Sequence, residues 1–214
     1  MMTSIMNVCQ VVGRHQEARA VRYPAEETAR RHQQIVAAAS RLFRERGFEG
    51  VSVAELMAAA GLTHGGFYSH FGSKDAVAAV ALEHGCQDML TMADEVGAAA
   101  DPRAEFIGGY LSRRHRDHPE QGCAMAALAP EVARGAAPIR HTFAAGLDAL
   151  IDRVPPAPGA SSECDRRADA ISTIAALVGA VVLARAVDDP TLSEEILAAV
   201  RGHFGLPPEG NDAR

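Results

Sequence analysis

An all-α chain is what this sequence predicts, on three observations. Alanine is abundant, aromatics make up 5% of the 214 residues and Trp is absent, which favours packed helices over sheets. Apolar residues recur at i, i+3, i+4 and i+7 through most of the length. No segment alternates as a half-buried strand does, and no internal repeat is present. The expected organisation is a three-helix helix-turn-helix head over 25–74 and a larger helical domain over 75–205. Flexible tails are expected at 1–24 and 206–214.

Glu26 to Arg46 forms the first helix. Ile35, Ala38, Ala39, Leu42 and Phe43 share one face, while Glu26 and Glu27 suit the amino end and Arg44 and Arg46 the carboxyl end. Gly47 stops the helix and Phe48 folds back onto its face. Ser52-Val53-Ala54-Glu55 is a capping box that opens a short helix through Ala60, with Leu56 and Met57 as core candidates. Gly61 ends that helix in a conformation other residues adopt only at a cost, Leu62 plugs the turn, and Thr63 caps the next helix. That helix runs to about His70, with Phe67 and Phe71 facing inward. Three helices with a tight glycine turn between the second and third make a helix-turn-helix.

Ser73 caps a longer helix from Lys74 to about Ala99, and Asp101-Pro102 opens another that runs to Asp117. His118-Pro119 breaks it. Helices follow from Gly122 to Arg134 and from Pro138 to about Val154, then a loop from Pro155 to Glu163. Arg166 to Val187 is strongly apolar, Asp188-Asp189-Pro190 interrupts, and Thr191 to Phe204 is the last helix before a frayed end from Gly205.

No apolar stretch reads as long and clean enough to cross a bilayer, and Met1 to Arg22 lacks the basic start and continuous apolar centre of a signal peptide. Cys9, Cys86, Cys123 and Cys164 are widely spaced and fit no zinc or disulfide pattern, so a reducing cytoplasm is the expected setting. Net charge is −6, which alone argues against nucleic acid. Its distribution does not: Arg22 to Lys74 carries seven basic and five acidic residues, Asp75 to Arg214 twelve basic and twenty-one acidic. A mildly basic head on an acidic remainder suits a DNA module carried on a non-DNA domain. Lys74 is the one lysine in the chain, placed where it reaches a DNA phosphate beside the short helix.

Gly61-Leu62-Thr63, Phe67-Tyr68-Ser69-His70-Phe71 and Ser73-Lys74-Asp75, set after an amphipathic first helix, resemble the TetR family of bacterial transcriptional regulators over about Thr28 to Val80. The resemblance implies a homodimer that represses by occupying a palindromic double-stranded DNA operator and lets go when a small molecule enters the carboxyl-terminal domain. His64, Gly65 and Gly66 form the first turn of the helix that enters the major groove, where His64 meets a base edge or phosphate. Two adjacent glycines weaken a helix by roughly 1 kcal/mol each, and their lack of Cβ allows close approach to DNA. Tyr68, Lys74 and Thr63 are expected on phosphates, and His70 either joins them or packs. Position 69, commonly long and basic or polar in the family, is Ser69 here; Arg30, Arg31, Arg19 and Arg22 are candidates to replace that contact.

In the second domain, Ile171, Ile174, Ala175, Val178, Val181, Val182 and Ala186, widened by Leu177 and Leu183, make a helix apolar on so much of its circumference that it must be buried on two sides. A two-fold four-helix bundle of this helix and the last one is the expected dimer. Met89, Met92, Phe106, Tyr110, Met125 and Phe143 are candidates for an apolar ligand pocket, with Cys123 near a helix start as a redox or electrophile sensor. His115, His118 and Cys123 form only a weak metal pattern, so neither metal nor cofactor is expected. A rival reading as an enzyme lacks a nucleophile–base pair or a phosphate-binding loop.

Overall fold

The computed structural model describes residues 25–210, and among them every regular element is helical. In order these are α1 (Ala25–Arg46), α2 (Val53–Ala59), a 3₁₀ helix (His64–Ser69), α3 (Lys74–Val96), α4 (Pro102–Tyr110), α5 (Arg113–Asp117), a 3₁₀ turn (Pro119–Gln121), α6 (Ala124–Val132), α7 (Ala137–Ile151), α8 (Glu163–Ala186) and α9 (Pro190–His203). The expected tail over 1–24, with Arg19 and Arg22, lies outside the described residues.

The head forms as its local signals dictate. Ile35, Ala39 and Phe43 of α1 are buried, and Phe48 returns beneath them with its ring edge-on to Phe43 at 5.2 Å. The Ser52 hydroxyl accepts from the Glu55 amide while the Glu55 carboxylate accepts from the Ser52 amide, so α2 starts at a complete capping box. Gly61 turns the chain with φ +70°, the left-handed region in which a side chain is strained. Leu62 then donates its amide to Met57 and packs against the core. α3 leaves the head, flanked first by α1 and further along by α7. At Gly85 it comes so close to α1 and α6 that a Cβ would stand 3.1 Å from both Ser40 and Ala124.

The structure departs from the sequence expectation in four places. The helix expected from Pro102 to Asp117 is two: α4 stops at Tyr110 and Ser112 caps α5, its hydroxyl accepting from the His115 amide. α8 starts earlier than expected, at a second capping box formed by Ser162 and Asp165. By length and composition α8 is apolar enough to span a bilayer, contrary to the expectation that no stretch is. Its first turns are nonetheless tied into the bundle, Asp169 to Arg103 of α4 at 2.8 Å and Arg167 to Asp148 of α7 at 2.6 Å. Finally, the carboxyl-terminal segment expected to fray from Gly205 folds back in its described part. Leu206 packs on the core, Pro207 accepts from Arg201, and Glu209 accepts from the Arg113 amide at 2.8 Å.

Candidate nucleic-acid interface and interior cavity

The short helix after the turn is 3₁₀ rather than α. The glycine pair at 65–66 gives an α-helix little support, and the Ser69 hydroxyl donates to the Gly66 carbonyl at 2.6 Å within the tighter turn. Phe67 is fully buried and Phe71 nearly so, which orients the remaining positions outward. Thr63, His64 and Gly65 are exposed, and no atom lies within 4 Å of where a Gly65 Cβ would stand. Gly66 is half-covered by the Met57 methyl. Tyr68 is 70% exposed, the most exposed large apolar side chain among the described residues.

Other expected contacts are placed less simply. Thr63 occupies the cap position of the 3₁₀ helix, yet its hydroxyl makes no capping bond, contrary to the expected cap. His70 is half-buried, 6.1 Å from the His32 ring, and burial followed by that neighbour and Arg31 lowers its pKa. Lys74 is the first residue of α3, directly after the Ser73 cap, and is half-exposed. Arg30 and Arg31 both donate to the Glu27 carboxylate, at 2.9 and 2.6 Å.

A cavity of about 530 Å³ opens between α3, α4, α5 and the segment leading into α6. Met89, Met92, Tyr110 and Cys123 line it, together with Asp88, Arg114, His115 and Gly122. Phe106, Met125 and Phe143 do not line it: Phe106 and Met125 are buried core, and Phe143 packs against the core from α7. Burial raises the Tyr110 phenol well above its usual pKa, and its hydroxyl has no hydrogen-bond partner beyond the neighbouring Cys123 thiol, a weak one.

The cavity wall is built on His115. Its Nδ1 bonds the Tyr110 carbonyl at 2.6 Å and its Nε2 accepts from the Cys123 amide at 2.9 Å, which fixes the neutral tautomer with hydrogen on Nδ1. Burial and then the nearby Arg185 guanidinium push its pKa down to about 4. Both ring nitrogens being spent, and His118 turned to Glu120, the His115–His118–Cys123 pattern belongs to the fold and not to a metal set. Arg185 donates to the His115 and Arg116 carbonyls and pins α5 to α8. Behind the wall stands Arg44 of α1, whose side chain is 4% exposed. It donates to the Gly122 carbonyl at 3.1 Å and pairs with Asp88 at 3.1 Å. The sequence hinted at this only by register, since Arg44 falls four residues after Ser40 and eight after Val36 on the buried stripe.

Residues 35–81, which hold the capping box, the glycine turn and the 3₁₀ helix, match the model of the family described as bacterial regulatory proteins, tetR family. That segment carries the amino-terminal domain of the TetR family. Among curated proteins the chain is similar to the HTH-type transcriptional repressor DhaR of Mycobacterium sp. (strain GP1), 30% identical over 92 residues. Those residues are 42% of this chain and 46% of DhaR, so the match spans under half the length of that relative. Among solved structures, a TetR-family regulator from Cytophaga hutchinsonii aligns with TM-score 0.66 at 20% identity, covering 88% of this chain and all of that one. NemR of E. coli in its reduced form aligns with TM-score 0.63 at 21% identity, covering 80% and 95%. At such identities the likeness is one of fold, and it extends the TetR arrangement through the helical carboxyl-terminal domain. The described chain thus has the fold of TetR-family regulators, with the family's amino-terminal segment at 35–81.

Proposed function

We propose that the protein is a repressor that binds a palindromic operator as a homodimer and is released by a small molecule held in the cavity. The observation that carries this reading is the pairing of a bare Gly65–Tyr68 surface on a buried Phe67 anchor with a walled cavity in the domain behind it. Thr63, His64, Gly65, Gly66 and Tyr68 present the groove-facing surface, with Lys74 and His70 at its margin. A phenol hydroxyl and an ammonium suit phosphate oxygens, whereas the His64 ring suits a base edge. DNA as the partner places the protein in the cytoplasm.

Dimerisation through α8 and α9 is supported by what they leave uncovered. Ile171 and Leu183 on α8 are 47% and 57% exposed, Leu192 on α9 is 43% exposed, and Gly179 has no atom within 4 Å of a would-be Cβ. An apolar face with a small residue at its centre fits a second helix at close range, and two-fold pairing sets two recognition helices about 34–36 Å apart. The effector's expected contacts are Met89, Met92, Tyr110 and Cys123.

Selection of duplexes from a random pool, followed by anisotropy at fixed salt, tests the reading. Tyr68→Ala and Lys74→Ala should weaken binding to all sequences, and a change at His64 should alter which sequence is preferred. Intact affinity in both alanine variants would sink the assignment. A second reading, release by an oxidant or electrophile at Cys123, is favoured by the position of that thiol at the start of α6 in the cavity wall and by the likeness to NemR. Unchanged release by peroxide in Cys123→Ser would dispose of it.

A further inference from the structure

This step rests on the reading above, in which an occupied cavity releases DNA. We infer that Arg44 is the positioning residue through which the cavity wall holds the DNA-binding head. Arg44 belongs to α1, yet both its outer nitrogens are bonded to residues that line the cavity, Asp88 on α3 and Gly122 before α6. Its Nε donates to the Ser40 carbonyl of its own helix at 3.2 Å, so the guanidinium is oriented from within the head and engaged from outside it. A cation this deeply buried depends on its acceptors, and these acceptors belong to the site an effector would enter.

Asp88 is the shared group. Its side chain is 46% exposed while that of Arg44 is 4% exposed, so one carboxylate faces both an occupant and the buried cation. Gly122 is the second handle. A Cβ there would stand 2.5 Å from the His115 ring, which leaves the Gly122–Cys123 segment no room to move without shifting His115 or the start of α6. α6 in turn grips α1 once more, because Glu131 accepts from the Phe48 amide at 2.7 Å, just beyond the end of α1. Cys123 and Glu131 are eight residues apart, about 12 Å along α6, which carries Pro130 near its end. An occupant that draws Asp88 away or displaces Gly122 therefore loosens α1 at Arg44, and α6 carries the same displacement to Phe48. The recognition surface follows, since α1 packs on α2 and its His32 stacks on Phe71 at 4.5 Å. The fully bonded arrangement is the one that holds DNA.

The test needs no effector. Operator affinity of the full chain is measured by anisotropy on a selected duplex, well below the thermal midpoint, for wild type, Asp88→Asn, Arg44→Met and the double variant. Asp94→Asn is the control: it removes another ion-paired carboxylate of α3, bonded to Arg153 at 3.0 Å away from the cavity. Each single variant should weaken binding by about tenfold, within the usual range of coupling between sites. The double should be no weaker than the weaker-binding single, and the control should match wild type. A merely structural pair would lower the thermal midpoint and leave the affinity of the folded protein unchanged. Wild-type affinity in Asp88→Asn, or additive losses in the double, overturns the inference, and Asp88→Asn decides alone if Arg44→Met does not fold. Failure of the wild type to select any duplex would instead bring down the DNA-binding reading, and the inference with it.

Discussion

Phe67 and Tyr68 are adjacent aromatics with opposite surroundings, one fully buried and the other 70% exposed. Phe67→Ala should lower unfolding free energy by about 3–5 kcal/mol, as loss of a core aromatic does. Tyr68→Ala should leave it within about 0.5 kcal/mol while weakening DNA binding. Urea titration with anisotropy on the same samples separates the two effects. Lys74→Ala should reduce the slope of log affinity against log salt by about 1 per protomer. His115 makes a pH prediction. Its folded pKa, about 4, lies below the ordinary 6.5, so between those values the unfolded chain binds the extra proton and folding stability falls as pH falls. The full loss is about 3 kcal/mol. Denaturant unfolding between pH 7.5 and 4.5 should show it, and His115→Gln, which keeps a donor and an acceptor without the titration, should flatten that part of the slope. An unchanged slope in the variant would mean that His115 is protonated in the fold or solvated.

At the scale of elements, what could be read beforehand was whatever is written locally. The capping box at Ser52 and Glu55, the stop at Gly47, the turn at Gly61 and the inward Phe67 and Phe71 follow from side chains within a few residues of one another. Gly61→Ala meets no neighbour, so its cost is backbone strain alone, about 1–2 kcal/mol, checked by the thermal midpoint. The cap at Ser112 is announced in the sequence only by the Gly108-Gly109 pair before it, a weak break signal in a segment that Asp101-Pro102 opens as a helix. The 3₁₀ form of the short helix has a local cause in the Gly65–Gly66 pair, but two glycines weaken a helix without dictating the tighter form that replaces it. Tertiary partners explain the remaining gaps. Met125 and Phe106 resemble Met89 and Tyr110 as residue types, and only packing decides which face the cavity. The burial of Arg44 depends on Asp88 and Gly122, far away in the chain.

For the whole molecule, the division into a basic head and an acidic remainder was visible in composition, and the helical class was visible in periodicity. The bare face of α8 and α9 makes the prediction that belongs here. Leu183→Glu should yield monomers by sedimentation and lose operator binding, while the head keeps its helicity by circular dichroism. A dimeric Leu183→Glu protein would move the interface elsewhere. The fold-back after α9 bears on how the protein should be handled at the bench. Glu209 joins the end of the described chain to Arg113 on the helix beside the cavity, so trimming after Gly205 to aid crystallisation would remove one of the ties on α5 and leave those from Arg185 and Glu194. Shortened versions are therefore poor stand-ins for titrating effectors, whereas a fluorophore on an exposed residue of α7 such as Arg140 leaves that latch untouched.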